Sequence, residues 1–210
     1  MSTDYSNNAE ESPEPRKAEV KGCIPSWLQA RCWQWPRHLL SGDTSYSHWF
    51  DGMAIMNSFA IKDGRLPFST HTVPDFTDNG ASNFIKYGND FYATSETNYI
   101  RKIDPVTLET LDKVDYLKYL PVNLASSHPH YDKEGNAYNM GTSIAEKGKT
   151  KYTLFKVPAV TEKELFREVG PRSEGLRGGL HGPCRSLLTP SYYHSFGMTD
   201  NYFIFIEQAV

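Results

Sequence analysis

One arrangement occurs three times in this chain: a short polar turn that runs straight into aromatic residues. It is seen in "GNDFYATSE" from Gly88, "EGNAYNMGTS" from Glu134 and "TDNYFIFIEQ" from Thr199. Gly, Asn and Asp accept tight reversals, and the aromatic and branched residues that follow favour a pleated strand over a helix. Each segment therefore predicts an antiparallel hairpin. The longer stretch "NFIKYGNDFYATSETNYIRKIDPVTLETLDKVDY" adds Thr-Asn and Asp-Pro turns between further strand-like runs. Helical periodicity is weak throughout, so the fold class is all-β. Hairpins at irregular intervals suit a sandwich or a β-propeller, and the propeller is favoured because each hairpin could belong to its own blade.

The chain has 210 residues, which at roughly 150 residues per domain means one domain, or one and a piece. Residues 1–16, "MSTDYSNNAEESPEPR", have almost nothing to bury and read as a disordered tail, leaving 17–210 as the folded part. Residues 161–186 are charged and glycine-rich and read as a long surface connection, with His181 facing solvent. With 22 Lys and Arg against 25 Asp and Glu, the charge balance gives no reason to expect a nucleic-acid partner. No apolar run approaches the roughly 20 residues of a membrane span, and the start does not resemble a secretion signal. Cys23, Cys32 and Cys184 lack the paired spacing of a disulfide framework or a zinc site. A cytoplasmic, reducing compartment is the expectation.

Two histidines occupy equivalent places in two of the hairpins: His128 in "HPHYDKEGNAY" and His194 in "HSFGMTDNYF". On neighbouring blades both imidazoles would turn toward one axis, where neutral nitrogens could hold iron, copper or zinc. Spacing alone leaves open two unrelated, hydrogen-bonded histidines, because the common metal signatures are tighter.

The wording around these positions is more specific. "FYATSETNYIRKIDPVTLETLDKVDY", "NLASSHPHYDKEGNAYNMGTS" and "PSYYHSFGMTDNYFIFIEQ", with "HWFDGMAIMNSF" before them, resemble the carotenoid cleavage oxygenase family, and within it the animal beta-carotene oxygenases. The resemblance runs over roughly residues 17–208, with gaps. It implies a seven-bladed β-propeller whose axis holds one Fe(II) through four histidines, and the matching positions here are His128 and His194. In that pattern the first histidine of His-Pro-His is the ligand, so His130 is expected to be a packing or hydrogen-bonding neighbour. Glu96, in "TSETN", matches a carboxylate that hydrogen-bonds an iron-bound imidazole, fixing its tautomer and raising its basicity. Phe50, in "HWFDG", matches a position near the substrate tunnel, although a plain core aromatic is an equal reading.

The implied reaction is oxidative cleavage of a polyene double bond, with a carotenoid and O2 as substrates and retinal or an apocarotenal as product. Full-length relatives imply peripheral membrane contact as a further expectation. A retinoid isomerase of the same fold is one alternative; a non-catalytic fragment or splice form is another.

The chain also departs from the family. Members are more than twice as long, and the other two iron histidines would lie beyond "EQAV". At "IKDGRLPFSTHTVPDFTDN" two segments join directly where relatives carry about a blade of extra chain, and "LQARCWQWPRHLL" replaces a glycine-based turn. A partial propeller is the expectation, and this chain by itself is expected to lack carotenoid cleavage.

Overall fold

Strands and tight turns make up the regular structure of the computed structural model, which describes residues 12–34, 37–38, 53–72, 83–144, 150–159, 177–184 and 190–208. The one helical element among them is a 3-10 turn, Tyr116–Lys118, opened by Asp115, whose carboxylate accepts from the Leu117 N–H at 2.9 Å. Among the described residues no helix is long and apolar enough to cross a membrane. The all-β class predicted by the turn chemistry is what forms. The chain divides into two units, residues 1–81 with 103–111 and residues 82–102 with 112–210.

In the first unit, β1 (Ser12–Lys17), β2 (Ala30–Gln34), β3 (Arg37–His38), β4 (Met53–Ile61) and β5 (Pro67–Thr72) form an antiparallel sheet in the order β1-β5-β4-β2, with β3 also on β4. The β4–β5 reversal is made by Asp63 and Gly64, at φ 52° and 70°. Two successive positive φ values give the hairpin turn whose twist matches paired strands, and Asp-Gly is well suited to it. The first part of the direct junction, "IKDGRLPFSTHT", is thus a regular hairpin, and its remainder, residues 73–79, lies outside the described residues. The expected tail needs correcting at its end, because Arg16 and Lys17 pair with Phe68 and Pro67 and the strand begins at Ser12. Within "LQARCWQWPRHLL", β2 pairs along β4 with Cys32 opposite Phe59. The predicted Asp-Pro turn is present as well: Asp104 accepts from the Val106 and Thr107 N–H groups at 2.7 and 2.9 Å.

A four-stranded meander follows: β6 (Asn83–Tyr87), β7 (Asp90–Thr94), β8 (Tyr99–Ile103) and β9 (Thr110–Asp115), hydrogen-bonded in that order. Next, β10 (Leu124–Ala125), β11 (His130–Tyr131), β12 (Ala137–Ile144), β13 (Thr150–Val157) and β14 (Arg177–Pro183) make an antiparallel sheet in the order β10-β12-β13-β14, with β11 on β12. A two-stranded ribbon, β15 (Gly197–Met198) and β16 (Phe203–Ile204), closes the described chain. The three turn-plus-aromatic segments are hairpins, β6–β7, β11–β12 and β15–β16, each in a different sheet.

Of residues 161–186, read as a surface connection, 161–176 and 185–186 lie outside the described residues, and over the part that is described the reading is overturned. Arg177–Pro183 is a strand on β13, and His181 lies opposite Thr153 rather than in a loop. The glycines that suggested a loop serve a bulge here. Leu154 faces Leu180 while Phe155 faces Gly178, so the register shifts at Gly179.

The second unit's core gathers Ile85, Tyr92, Ile100, Val122, Phe155 and Val157. Central strand β12 is buried along most of its length instead of alternating, as expected of a strand covered on both faces. Gly141 permits this, since a Cβ there would come within 2.4 Å of Val122 Cγ1 and 2.9 Å of the Leu124 carbonyl oxygen.

Inside the core, the Tyr87 and Tyr116 hydroxyls meet at 3.1 Å. Burial pushes the Tyr87 phenol up to about 12 and Tyr116 well above the usual tyrosine value. The unfolded chain would ionise both near pH 10 while the folded chain keeps them protonated. Their contribution is complete below pH 10 and is lost as pH rises through about 12. Denaturant midpoints measured from pH 8 to 12 are expected to hold steady and then fall above about pH 10. A midpoint flat to pH 12 would show that these phenols are not buried.

Candidate metal centre

His128 follows β10 in an irregular link to β11, and His194 lies at a bend in the irregular segment before β15. Their Nε2 atoms are 2.7 Å apart and the ring planes are inclined at 60°. Two neighbouring ligands with bonds of about 2.1 Å at right angles put their nitrogens about 3 Å apart, so the pair stands a few tenths of an ångström inside the separation of two ligands on a shared metal.

Each imidazole has a distinct partner on its other nitrogen. The Nδ1–H of His194 is donated to Glu96 Oε1, which leaves the lone pair on Nε2. Glu96 in turn accepts at Oε2 from the Tyr192 hydroxyl at 2.8 Å. Loss of water around that hydroxyl, and then the hydrogen bond to Glu96, push the Tyr192 phenol up to about 12. Tyr192 therefore remains a donor at neutral pH.

On the other side, Asn83 Nδ2 stands 3.3 Å from His128 Nδ1 and donates to the Ser127 carbonyl at 2.9 Å. Its Oδ1 accepts from the Phe84 N–H at 2.8 Å. The anchored amide thus turns its nitrogen toward His128 Nδ1, which places the His128 proton on Nε2 in the metal-free pair. The 2.7 Å bond accordingly runs from His128 to His194, and a metal on both Nε2 atoms would replace it, with the His128 proton moved to Nδ1 and the Asn83 nitrogen turned away from that atom. Burial, followed by the neighbouring His194, holds the His128 imidazole below the usual histidine value. That favours the neutral form, the form able to ligate a metal.

His130 plays a different part. Its Nε2–H donates to the Phe196 carbonyl at 2.6 Å, and its ring meets the Phe196 ring edge-on at 4.8 Å. Phe196 also lines an apolar cavity of about 220 Å³ with Met140, Tyr152, Leu154 and Phe203, and neither His128 nor His194 is among the lining residues.

The structure therefore brings together His128, His194 and Glu96, while Phe50 lies outside the described residues. Among the described residues no group of three or more His, Cys, Asp or Glu side chains converges as a metal-ligand set. Nitrogen donors suit a first-row transition metal such as Fe(II), and His194 is 57% exposed, so further ligands have access. The donor set fits iron as two ligands of a larger shell.

Sequence reasoning missed Tyr192 and Asn83. For Tyr192 a signal existed: it lies two residues before His194, and in extended chain alternate residues share a face.

An all-β chain with this paired-imidazole and carboxylate arrangement can be placed. It belongs to the family described as retinal pigment epithelial membrane protein, the carotenoid oxygenases, whose profile matches residues 5–75 and 68–210. The beta,beta-carotene 15,15'-dioxygenase of Gallus gallus is 47% identical to it over 253 aligned residues, covering 99% of this chain and 48% of that protein. The enzyme of the same name from Homo sapiens is 46% identical, covering 97% of this chain and 45% of that protein. Among solved structures, a mutant of the Synechocystis apocarotenoid oxygenase superposes with a TM-score of 0.65 at 19% identity, covering 92% of this chain and 47% of that one. At that identity the likeness speaks to the fold.

The chain spans about half the length of the curated relatives it matches. The Gallus gallus alignment is longer than the 210 residues of this chain, so it carries gaps on this side. The two profile matches overlap at residues 68–75, within the segment "IKDGRLPFSTHTVPDFTDN".

Proposed function

We propose that this chain carries part of the metal centre of an Fe(II)-dependent carotenoid dioxygenase, which cleaves a polyene double bond of a carotenoid such as beta-carotene with O2 to give retinal or an apocarotenal. The observation that carries this reading is the meeting of the His128 and His194 Nε2 atoms at 2.7 Å, with Glu96 on the far nitrogen of His194. It occurs in a chain 47% identical to a beta-carotene dioxygenase. The similar relatives are named dioxygenases, which favours cleavage over retinoid isomerisation.

Iron bound here would supply open coordination positions for O2 beside an apolar substrate. The chain's own residues do the holding. His128 and His194 donate nitrogen lone pairs, Glu96 keeps the His194 proton on Nδ1, and Tyr192 keeps Glu96 in place. Neutral imidazoles contribute no charge to offset that of the metal, and the Glu96 carboxylate places a negative group on the far side of the His194 ring.

Iron per chain in anaerobically purified protein, compared with the His128→Ala form, tests the reading. Near-stoichiometric iron that is lost on substitution supports it. Absence of iron from both forms would sink the metal-centre reading for this chain and favour a non-catalytic fragment. We expect this chain alone to give no measurable retinal from beta-carotene, because two imidazoles are half of the ligand set the family resemblance implies.

A further inference from the structure

We propose that Ser126 and His130 are positioning residues for the imidazole pair, clipping the segment that carries His194 onto the segment that carries His128. The inference rests on the reading of His128 and His194 as joint metal ligands, and adds the device that holds them at ligand separation.

The geometry is a pair of clips on either side of His128. The Ser126 hydroxyl donates to the His194 carbonyl at 2.8 Å and accepts from the His128 N–H at 3.1 Å, so a single oxygen touches the backbone of both histidines. Ser126 is itself anchored from the core, where the wholly buried Asn139 donates to its carbonyl at 2.7 Å. Two residues beyond His128, His130 Nε2 donates to the Phe196 carbonyl at 2.6 Å and stacks edge-on against that ring. Residues 126, 128 and 130 thus all turn toward the 194–196 segment.

The chemistry explains the need. A metal site tolerates about 0.5 Å of ligand displacement before affinity suffers, so ligands from separate segments need their backbones fixed to one another. His194 is more than half exposed and its ring is guided by Glu96 and Tyr192. Those contacts orient the ring, whereas the Ser126 and His130 bonds set where its backbone lies. His130 Nε2 is engaged by the Phe196 carbonyl, so that nitrogen is not free to ligate a metal in this arrangement.

The test uses the full chain and three substitutions. His130→Phe keeps a ring to pack on Phe196 and removes the N–H, His130→Gln restores a donor without the ring, and Ser126→Ala removes both hydrogen bonds made by that hydroxyl. Anaerobic titration with Co(II), read by visible absorption, is expected to show about tenfold weaker binding for His130→Phe and Ser126→Ala. His130→Gln is expected to regain wild-type affinity, with melting temperatures close to wild type. Wild-type Co(II) affinity in His130→Phe and Ser126→Ala would overturn the proposal, as would His130→Gln binding no better than His130→Phe.

If the wild-type chain takes up no Co(II), the metal reading itself fails. Imidazole ring contacts between His128 and His194, followed by NMR in the metal-free chain, then decide the positioning role. Their loss in His130→Phe and return in His130→Gln supports it, and their persistence in both His130→Phe and Ser126→Ala overturns it.

Discussion

Fe(II) titrated anaerobically into the Glu96→Gln chain is expected to bind about 10–100-fold more weakly than to the wild type. Glu96 accepts two hydrogen bonds, one from His194 Nδ1 and one from the Tyr192 hydroxyl. Glutamine can still accept from His194, but it presents an NH2 group to Tyr192 and carries no charge to raise the basicity of the imidazole. The melting temperature should barely move. With side-chain exposures of 57% for His194 and 26% for Glu96, the pair resembles the surface ion pairs that contribute about 0–1 kcal/mol to stability. The contrast between a large effect on metal affinity and a small effect on folding is the diagnostic. Equal Fe(II) affinity in the two proteins would reduce Glu96 to a surface partner of His194.

The largest expected effect on stability is at Phe155. Its side chain is 1% exposed and packs against Tyr116 with ring centroids 5.5 Å apart. Truncation to alanine removes most of a buried aromatic ring and leaves a cavity, which typically costs about 3–5 kcal/mol. Against total stabilities of about 5–15 kcal/mol, that is a large fraction. Urea unfolding of Phe155→Ala should show a much lower midpoint with a similar slope. A loss below about 1 kcal/mol would contradict close packing of the second unit.

Local chemistry made the hairpins legible. Gly88 adopts a φ of 59° at the turn between β6 and β7, and a residue free to do so was visible in "YGNDFY". What came from longer-range packing was not legible in the same way. Nothing local to "RGGLHGP" marks it as a strand, because three glycines weaken that preference; β13 supplies the partner edge that makes it one.

The candidate site divides along the same line. His128 and His194 were singled out by their matching places in two hairpins and became a metal pair through the family resemblance, while Glu96 came from the resemblance alone, since a carboxylate 98 residues from the imidazole it meets leaves no trace in spacing. Asn83 and Ser126 were missed because small polar residues in turns usually serve the backbone, and here they do that and touch the histidines as well. The tail reading failed at Ser12–Lys17 because composition describes what a segment can bury by itself. A strand added to β5 gains hydrogen bonds that no composition reveals.

The separation of the two imidazoles along the chain has a consequence for how the protein acquires its site. Hairpins close over a few residues, whereas His128 and His194 meet across 66. Contacts between distant residues carry a greater loop-closure entropy and tend to form after local ones. The hairpins can therefore be in place while the imidazoles are still apart. Metal capture would report a late step of folding rather than its nucleation, and a newly made chain would be a poor chelator until the segment carrying His194 had docked.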